Sequence, residues 1–517
     1  GGIQIGSGSE RVRILENTVI GGHGNGITLG HFSSFGTGND VDDEIDFSEI
    51  LSQTSDFGSI DVGVISEAVY AALAQDFMGV LYEIEIEGNV IRDMGFAGIG
   101  VLSFFNNGDD DGFVIHVDNL AIYRNTIQNC AQEIPEDVPA GNTSVYGGIV
   151  LASVEHGRIE ENRVEDCGRS HIEPVCGIYV QNGEELVISR NRVLNNGPRT
   201  TLTDENFGLQ AAARRGVRGG IVVGMSIRRQ IVVGIVDELN SDGIPAAQIH
   251  DNIVVQPLGQ ALRLQAFGPV SVVGNSFMSH ELDFGDVWSL IAGAVMIFNL
   301  GVSKDMIRLV TEPTFLDLAT TQPSTGAPVN DPGGGIIANP VQAALILLLL
   351  QYLPSGQTLF ANNQVTLDMR NLEIDLGLSA TLVVSLDDIG FTDNQCEVKG
   401  LWIPTGQSQA PVIPLDILLF DTVLAAPSVR THGNRFQEGF TFTLYSLLSL
   451  GILNSTTGNQ STNCLFTFGV REVFRDNIEG FAITLDCARL DFGTQILGDQ
   501  QSIMYLTDDQ LALDQNG

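Results

Sequence analysis

The tripeptide Gly22-His23-Gly24 is the first group in the chain that could do chemistry. An imidazole between two glycines can belong to a site that cuts acidic polysaccharides. Such a site also needs two or three carboxylates nearby, as acid, base or calcium ligands, and a basic residue for the substrate. The same tripeptide suits a tight turn, because glycine adopts backbone angles that other residues avoid. The neighbours of His23 in the fold decide between these two interpretations.

Two acidic stretches could bind a cation. The stretch from Asp40 to Glu49 has carboxylates at positions 1, 3, 5 and 7 of an EF-hand loop. However, Ile45 stands where glycine is needed, and Leu51 stands where a bidentate Glu is needed. The run Asp109 to Asp111 is a carboxylate cluster in a turn. We therefore expect solvated acidic loops and no resident metal or cofactor, with loose surface calcium as the alternative.

The charge balance excludes several classes of partner. The formal net charge is −38 at pH 7, and Lys304 and Lys399 are the only lysines. Nucleic acids and anionic lipids are bound by clustered Lys and Arg, so neither is expected as a partner. The apolar run from Val341 to Leu353 has 13 residues, too few to cross roughly 30 Å of hydrocarbon at ~1.5 Å per residue. It is predicted to be a helix packed on the body of the protein or in a subunit contact.

One frame recurs along the chain: an apolar residue, two variable residues, Asn, a variable residue and another apolar residue, followed after a gap by Gly and an apolar strand. The spacing between successive Asn ranges from 23 to 88 residues. Because the shortest spacing is small and the longer ones are irregular, each repeat should contain one short coil, with the additional residues inserted at its loops. The eleven asparagines are Asn17, Asn89, Asn125, Asn162, Asn191, Asn252, Asn275, Asn363, Asn394, Asn434 and Asn459.

Within each unit the apolar residues alternate with period two, as in Val12 and Ile14, which is typical of strands. The pattern predicts an all-β solenoid of parallel strands stacked about 4.8 Å apart. We expect the repeated Asn at a bend, with left-handed backbone angles and side-chain amides bonded to the Asn above and below. Eleven appearances at one register position favour a structural ladder and make catalysis by any one Asn improbable.

Cysteines support this register. Cys130, Cys167 and Cys464 each lie five residues after a ladder asparagine, so the first two should stack on consecutive coils. Their side chains would point the same way, which favours reduced thiols over a disulfide. Six cysteines in 517 residues do not make a disulfide-rich scaffold.

The frame also divides the chain. Because the first residues, "GGIQIG", already look like a repeat strand, we expect Gly1 to lie inside a longer polypeptide. The first insertion should contain a short amphipathic helix at 65–80, and the second should contain the apolar helix. Residues 199–217 should form a loop plus a helix, and residues 401–427, rich in Pro and aliphatic residues, also break the frame. The predicted divisions are a first coil at 1–29, an insertion at 30–81, coils at 82–278, an insertion at 279–357, coils at 358–507 and a tail at 508–517. If the insertions emerge from one corner, they gather on one face.

The repeat resembles the right-handed parallel β-helix of the pectin-lyase-like superfamily over nearly the whole chain. Polygalacturonases of that superfamily combine Gly-His-Gly with Asn-Thr-Asp, an Asp-Asp pair and Arg-Ile-Lys. This chain has Gly-His-Gly at residues 22–24, but its Asp-Asp pair, Asp387-Asp388, lies hundreds of residues downstream. The Arg-containing signature of pectate lyases is absent as well. The resemblance therefore implies the fold without a known active site, and His23 is interpreted as a turn residue.

A narrower resemblance covers Val384 to Gly469, with "GPVSVVGNSF" upstream. This part looks like the C-terminal part of large bacterial β-helix proteins encoded beside phage-tail-like contractile injection systems. The resemblance implies a structural or surface-binding component and brings no catalytic residues with it.

Three functions remain open. The first is a non-enzymatic, extracellular or particle-associated β-helix that joins other subunits of a bacterial assembly, with its insertions contacting partners or glycans. The second is a polysaccharide lyase, hydrolase or epimerase with a lateral groove, to which Asp93, Asp166 and Glu185 could contribute. It would require three carboxylates and an Arg or His within about 6 Å of one another. The third is a filament subunit whose apolar segment docks into a neighbour through Leu345, Leu348 and Leu350.

Overall fold

The computed structural model describes residues 2–30, 77–101, 114–133, 146–169, 175–198, 218–228, 245–280, 282, 286–303, 355–369, 376–399, 417–439, 442–451, 453–462, 466–471 and 482–486. Almost all of these residues belong to short strands or to the bends between them. In chain order the strands are β1 (Ile3–Ile5), β2 (Glu10–Leu15), β3 (Thr18–Ile20), β4 (Ile27–Leu29), β5 (Phe77–Glu87), β6 (Val90–Arg92), β7 (Ile99–Val101), β8 (Val114–Tyr123), β9 (Thr126–Gln128), β10 (Tyr146–Glu155), β11 (Arg158–Glu160), β12 (Arg163–Glu165), β13 (Val175–Glu184), β14 (Leu186–Ser189), β15 (Arg192–Leu194), β16 (Gly219–Ile227), β17 (Ala247–His250), β18 (Ile253–Gln256), β19 (Gln260–Phe267), β20 (Val270–Val273), β21 (Ser276–Ser279), β22 (Ala292–Asn299), β23 (Thr358–Ala361), β24 (Gln364–Asp368), β25 (Leu376–Ser385), β26 (Asp388–Thr392), β27 (Gln395–Lys399), β28 (Ile417–Ala425), β29 (Ser428–His432), β30 (Arg435–Gly439), β31 (Phe442–Leu450), β32 (Leu453–Thr457), β33 (Gln460–Thr462), β34 (Phe466–Arg471) and β35 (Ala482–Asp486).

Three strands make one coil, and each strand pairs in parallel with the strand three places further along the chain. The series that starts at β1 forms the first face, the series from β2 the second face and the series from β3 the third face. The third face is a separate sheet of 11 strands, whereas strands of the first two faces share hydrogen bonds. The described strands β1 to β33 therefore make eleven coils of a parallel β-helix. β34 begins a twelfth coil, but β35 pairs with it antiparallel and leaves the pattern.

The core consists of apolar residues stacked in columns along the helix axis. On the second face, Ile86 pairs with Ile122, which pairs with Ile159 one coil further on, and all three are buried. Near the C-terminal end the same column continues as Phe360 and Phe391, whose rings stack with centroids 5.1 Å apart. Each coil thus covers the apolar side of the coil before it, so the core lengthens with the chain without becoming wider.

A column of glycines explains the Gly that opens the apolar strand of many repeats. A Cβ atom on Gly148 would lie 2.1 Å from Cγ1 of Val164 and 2.8 Å from the carbonyl oxygen of Gly177. Gly177 is equally close to Val193 and to Gly220 on the next coil. Glycine is needed here because the first face approaches the β-branched residues of the third face too closely for any side chain.

Three predicted boundaries need adjustment. Residues 77–80 were expected at the end of an amphipathic helix, but they belong to β5, where Phe77 pairs with Val114 and Val80 with His116. Sheet pairing overrides the local helical preference of this segment. The range 279–357 was expected to be an insertion, yet it contains β22, which pairs with β19 and β25 as a regular strand of the first face. The range 401–427 was expected to break the frame, yet it contains β28, which pairs with β25 and β31. The predicted apolar helix at 341–353 and the predicted loop and helix at 199–217 lie outside the described residues.

The intervals between described strands that could hold insertions fall at two corners. Residues 31–76, 102–113 and 304–354 lie between a first-face and a second-face strand, whereas 134–145 and 199–217 lie between a third-face and a first-face strand. The expectation of a single insertion corner therefore needs revision. The described residues include one helix, α1 (Val287–Ile291), which is capped by Asp286. No helix among them has the length and apolar character to cross a membrane.

Candidate functional site: the asparagine ladder and a histidine–carboxylate corner

The eleven predicted asparagines form one continuous file at the corner between the second and third faces. Asn191 illustrates the repeat: its Oδ1 accepts hydrogen bonds from the backbone N–H and the side-chain amide of Asn162, at 2.9 and 3.0 Å. Its Nδ2 donates to Ile159 O at 2.7 Å and to Asn252 Oδ1 at 3.0 Å. The same Asn-to-Asn bonds connect every member of the ladder from Asn17 to Asn459.

The bend at this corner always consists of two residues, and the first of them, not the asparagine, has left-handed backbone angles. In the first coil Glu16 has φ 54° and precedes Asn17; Arg190 has φ 55° and precedes Asn191. All eleven preceding residues have positive φ, and four of them are glycine. We expected the asparagine to be left-handed. None of the eleven ladder asparagines has a positive φ, so the residue before each of them makes the turn instead.

A second column of left-handed residues lies at the corner between the first and second faces. It is formed by the residues six positions before a ladder asparagine, from Arg11 in the first coil to Glu185 in the fifth. In an extended strand successive side chains point to opposite sides, but a left-handed residue interrupts this alternation. Two consecutive side chains of each coil can then meet those of neighbouring coils. The left-handed residues of this corner are Arg11, Glu83, Asn119, His156 and Glu185.

His156 lies at the centre of a cluster on this corner. Its Nδ1 is 3.1 Å from Oδ1 of Asp118 and 3.8 Å from Oε1 of Glu155, and its Nε2 is 3.3 Å from Oε2 of Glu185. The sheet register fixes these neighbours, since Glu155 pairs with Asp118 on the preceding coil and with Glu184 on the following one. Three successive coils therefore deliver three carboxylates to one imidazole.

The cluster extends to a second histidine. Nε2 of His116 lies 3.6 Å from Oε2 of Glu155, and its Nδ1 is within hydrogen-bonding distance of Ser153 Oγ, at 2.9 Å. His116 is largely buried, whereas half of the His156 side chain is exposed. The cluster opens onto a shallow surface depression of about 500 Å³, which is lined by Tyr82, Glu83, Asp118, Asn119, His156 and Arg158.

The electrostatics of this corner favour a positive charge on the imidazole. Partial burial of His156 lowers its pKa, but the hydrogen bond to Asp118 and the charges of Glu155 and Glu185 outweigh this effect. The net result is a pKa above the usual value of a histidine. A site that stabilises a proton on nitrogen in this way is also suited to other cations.

The carboxylates proposed from the sequence do not converge. Asp93 accepts a hydrogen bond from Asn129 at 2.6 Å, and Asp166 pairs with Arg169 at 2.6 Å. Both follow their ladder asparagine by four residues and lie at the end of the third face, whereas Glu185 lies at the opposite corner beside His156. Three carboxylates do surround one histidine at this corner, and Glu185 is the one among them that was proposed from the sequence.

Asp118, Glu155, His156 and His116 were missed because they show no motif along the chain. The repeat frame contains the signal that would have found them: Asp118 and Glu155 each lie seven residues before a ladder asparagine, and His156 lies six before one. When the coils are aligned at their ladder asparagines, residues with the same offset lie at the same corner, and this alignment identifies the polar cluster.

His23, whose side chain is almost fully exposed, lies in a bend between β3 and β4, and its Nδ1 is 2.5 Å from Oε1 of Glu133. No second described carboxylate forms an ion pair with it. This arrangement fits the turn interpretation and provides none of the convergence that cleavage of an acidic polysaccharide requires.

Cys130 and Cys167 are buried, reduced and adjacent on consecutive coils. A hydrogen bond between the two thiols, together with complete burial, raises the pKa of Cys167 well above its usual value. The third predicted member, Cys464, lies outside the described residues. So do the acidic stretches at 40–49 and 109–111 and the assembly residues Leu345, Leu348 and Leu350.

Comparison with known proteins supports the fold. Residues 1–224 match the family model described as the right handed beta helix region. Together with the parallel three-strand coils, this match confirms the predicted right-handed parallel β-helix. No curated protein and no solved structure matches the chain. The likeness of Val384 to Gly469 to proteins encoded beside injection systems therefore remains a prediction.

Proposed function

We propose that this β-helix is a non-enzymatic structural or surface-binding component of an extracellular bacterial assembly, such as a fibre, a filament or a phage-tail-like particle. In this role the coils form a stiff rod, and the segments at its corners contact glycans or other subunits. The net charge of −38 favours the solubility of such a rod and repels nucleic acids and anionic lipids.

The observation that carries this proposal is the unbroken ladder. Eleven consecutive coils keep the same asparagine contact, although up to 88 residues separate two neighbouring members. At about 4.8 Å per coil this corresponds to a rod roughly 50 Å long. A nearest-neighbour architecture of this kind keeps its shape while its insertions vary, which suits a spacer or display surface.

Electron microscopy and glycan binding test this proposal. The full chain should appear as rods or as end-to-end filaments and should bind one class of glycan in an array without altering it. Association should depend on the apolar segment around Leu345 to Leu350, so Leu348→Asp should give soluble monomers. Globular particles that neither associate nor bind any surface glycan, for wild type and variant alike, would refute the structural role.

The histidine–carboxylate corner favours one alternative: a polysaccharide lyase, hydrolase or epimerase. Asp118, Glu155 and Glu185 around His156 supply groups that can donate and accept protons, and Arg158 lines the same depression. Acidic glycans are the substrate class to test, by reducing-sugar release and by absorbance at about 235 nm for unsaturated products. Activity that is lost in Glu185→Gln and retained in Asp93→Asn would support an enzyme. Uniform inactivity on acidic and neutral glycans would eliminate it.

A further inference from the structure

We propose that Asp118, Glu155 and His156 form a binding site for a divalent transition-metal ion of the Zn²⁺ class. Each residue offers one ligand atom, and these atoms lie within 4.8 Å of one another. The inference does not depend on the structural role proposed above, because the site would bind metal in a rod, a filament or an enzyme.

The distances match the requirements of a small tetrahedral ion. Ligand atoms about 2.1 Å from Zn²⁺ lie about 3.4 Å from one another in a tetrahedron. Nδ1 of His156 is 3.1 Å from Asp118 and 3.8 Å from Glu155, on either side of that value. The third separation, between Asp118 and Glu155, is within 4.8 Å, so side-chain rotation can bring the three ligands onto one ion, and water can fill the fourth position.

The other nitrogen of His156 already has the partner that a metal-bound imidazole requires. Its Nε2 lies 3.3 Å from Glu185 Oε2. A carboxylate at this place holds the proton on Nε2 and leaves the lone pair of Nδ1 directed at the metal, as in the carboxylate–histidine–metal arrangement. Glu185 is thus a positioning residue, and it lies one coil beyond the imidazole that it orients.

A metal ion can take the place of the proton in the contact between His156 and Asp118. When the proton is on Nε2, Nδ1 presents a lone pair to a carboxylate oxygen at 3.1 Å. Two acceptors at this distance repel each other unless a proton or a metal ion lies between them. The second carboxylate, Glu155, adds further negative charge at the same point, which favours a divalent ion.

The donor set also predicts which ion is preferred. One imidazole with two carboxylates suits Zn²⁺ and Co²⁺, whereas Ca²⁺ takes six to eight oxygen ligands and Mg²⁺ keeps most of its water. The ligands come from the third and fourth coils and Glu185 from the fifth. Metal binding would therefore connect three successive coils at the corner between the first and second faces.

Titration of the metal-free full chain with Zn²⁺ and Co²⁺ tests the site, by isothermal calorimetry and by the visible absorption of bound Co²⁺. We expect binding that His156→Asn abolishes at this site and that Glu185→Gln weakens 10- to 100-fold. Asparagine tolerates the left-handed backbone of position 156, so His156→Asn should fold, which circular dichroism can check. Asp118→Asn provides a second variant with an unchanged shape.

His432→Asn is the matched control, since the described partner of His432 is the hydroxyl of Thr457 at 3.0 Å and not a carboxylate. This variant should bind Zn²⁺ and Co²⁺ like the wild type. Unchanged stoichiometry and affinity in both His156→Asn and Asp118→Asn would overturn the assignment. So would tighter binding of Ca²⁺ than of Zn²⁺, or the absence of any binding by the wild type.

Discussion

Replacing Asn191 with alanine should open the β-helix locally at the ladder. Asn191 is fully buried, and its side chain has partners on both neighbouring coils. Without it, the N–H of Asn162 loses its acceptor, and the carbonyl of Ile159 loses its donor. A buried polar group without a partner costs about 1–3 kcal/mol, so two such groups cost roughly 2–6 kcal/mol.

Asn17→Ala is the control that isolates this effect. Asn17 occupies the first position of the ladder, is half-buried, and donates to Leu15 O and Asn89 Oδ1. None of its described contacts uses Oδ1 to satisfy a buried backbone N–H. Truncation there should cost under ~1 kcal/mol, as for an exposed hydrogen bond.

Hydrogen exchange measures the difference where it arises. Solenoids open in segments, so a single melting temperature would average over coils that the mutation does not affect. A cost near 4 kcal/mol corresponds to about a thousandfold faster exchange of the Asn162 amide. Circular dichroism should show that both variants keep their strands. If Asn191→Ala leaves the Asn162 amide as protected as Asn17→Ala does, the ladder is not a source of stability.

Two further predictions concern the core. Burial raises the pKa of Asp421 from 3.8 to about 7. Because the folded state holds this proton more tightly, stability is greatest below the unfolded pKa and declines as the pH rises towards 7. The free energy of unfolding of Asp421→Asn relative to wild type should therefore increase by up to roughly 4 kcal/mol from pH 4 to pH 8, and a difference that does not change with pH would contradict this. Gly148→Ala should destabilise by roughly 2–4 kcal/mol in chemical denaturation, because its Cβ would lie 2.1 Å from a Val164 methyl group; Gly390→Ala, with its nearest contact at 3.5 Å, should be close to neutral.

The fold was largely predictable because the corner at the asparagine admits no insertion. Two residues separate the strands there in every described coil, so the Asn and its flanking apolar residues keep a fixed pattern that survives long gaps elsewhere. The frame even identified the strand "AVMIFN" after Asn275. We nevertheless predicted an insertion over the whole of 279–357, whereas Ala292–Asn299 within this range form strand β22.

The site was less accessible to sequence reasoning for a physical reason. Many left-handed residues of both corners are Glu or Arg, which carry none of the signal that glycine gives for such a conformation. Asp118, His156 and Glu185 are separated by about thirty residues or more, and only the sheet register brings them together. Asp93 and Asp166 have an equally acidic character in sequence, yet their offset from the asparagine places them at another corner.

The two corners therefore use the same backbone conformation for opposite purposes. At the asparagine corner the left-handed residue is followed by a side-chain amide whose hydrogen bonds go to neighbouring asparagines and to backbone carbonyls, which leaves it no hydrogen-bonding capacity for a ligand. At the His156 corner the left-handed residue and the residue before it can both face the neighbouring coils, so each of the first five coils contributes a pair of side chains whose identity differs from coil to coil. A β-helix can change such a pair without disturbing its core, because the columns that stabilise it lie on the other side of the strand. A binding site on this rod is thus most readily built at the corner where His156 meets its three carboxylates.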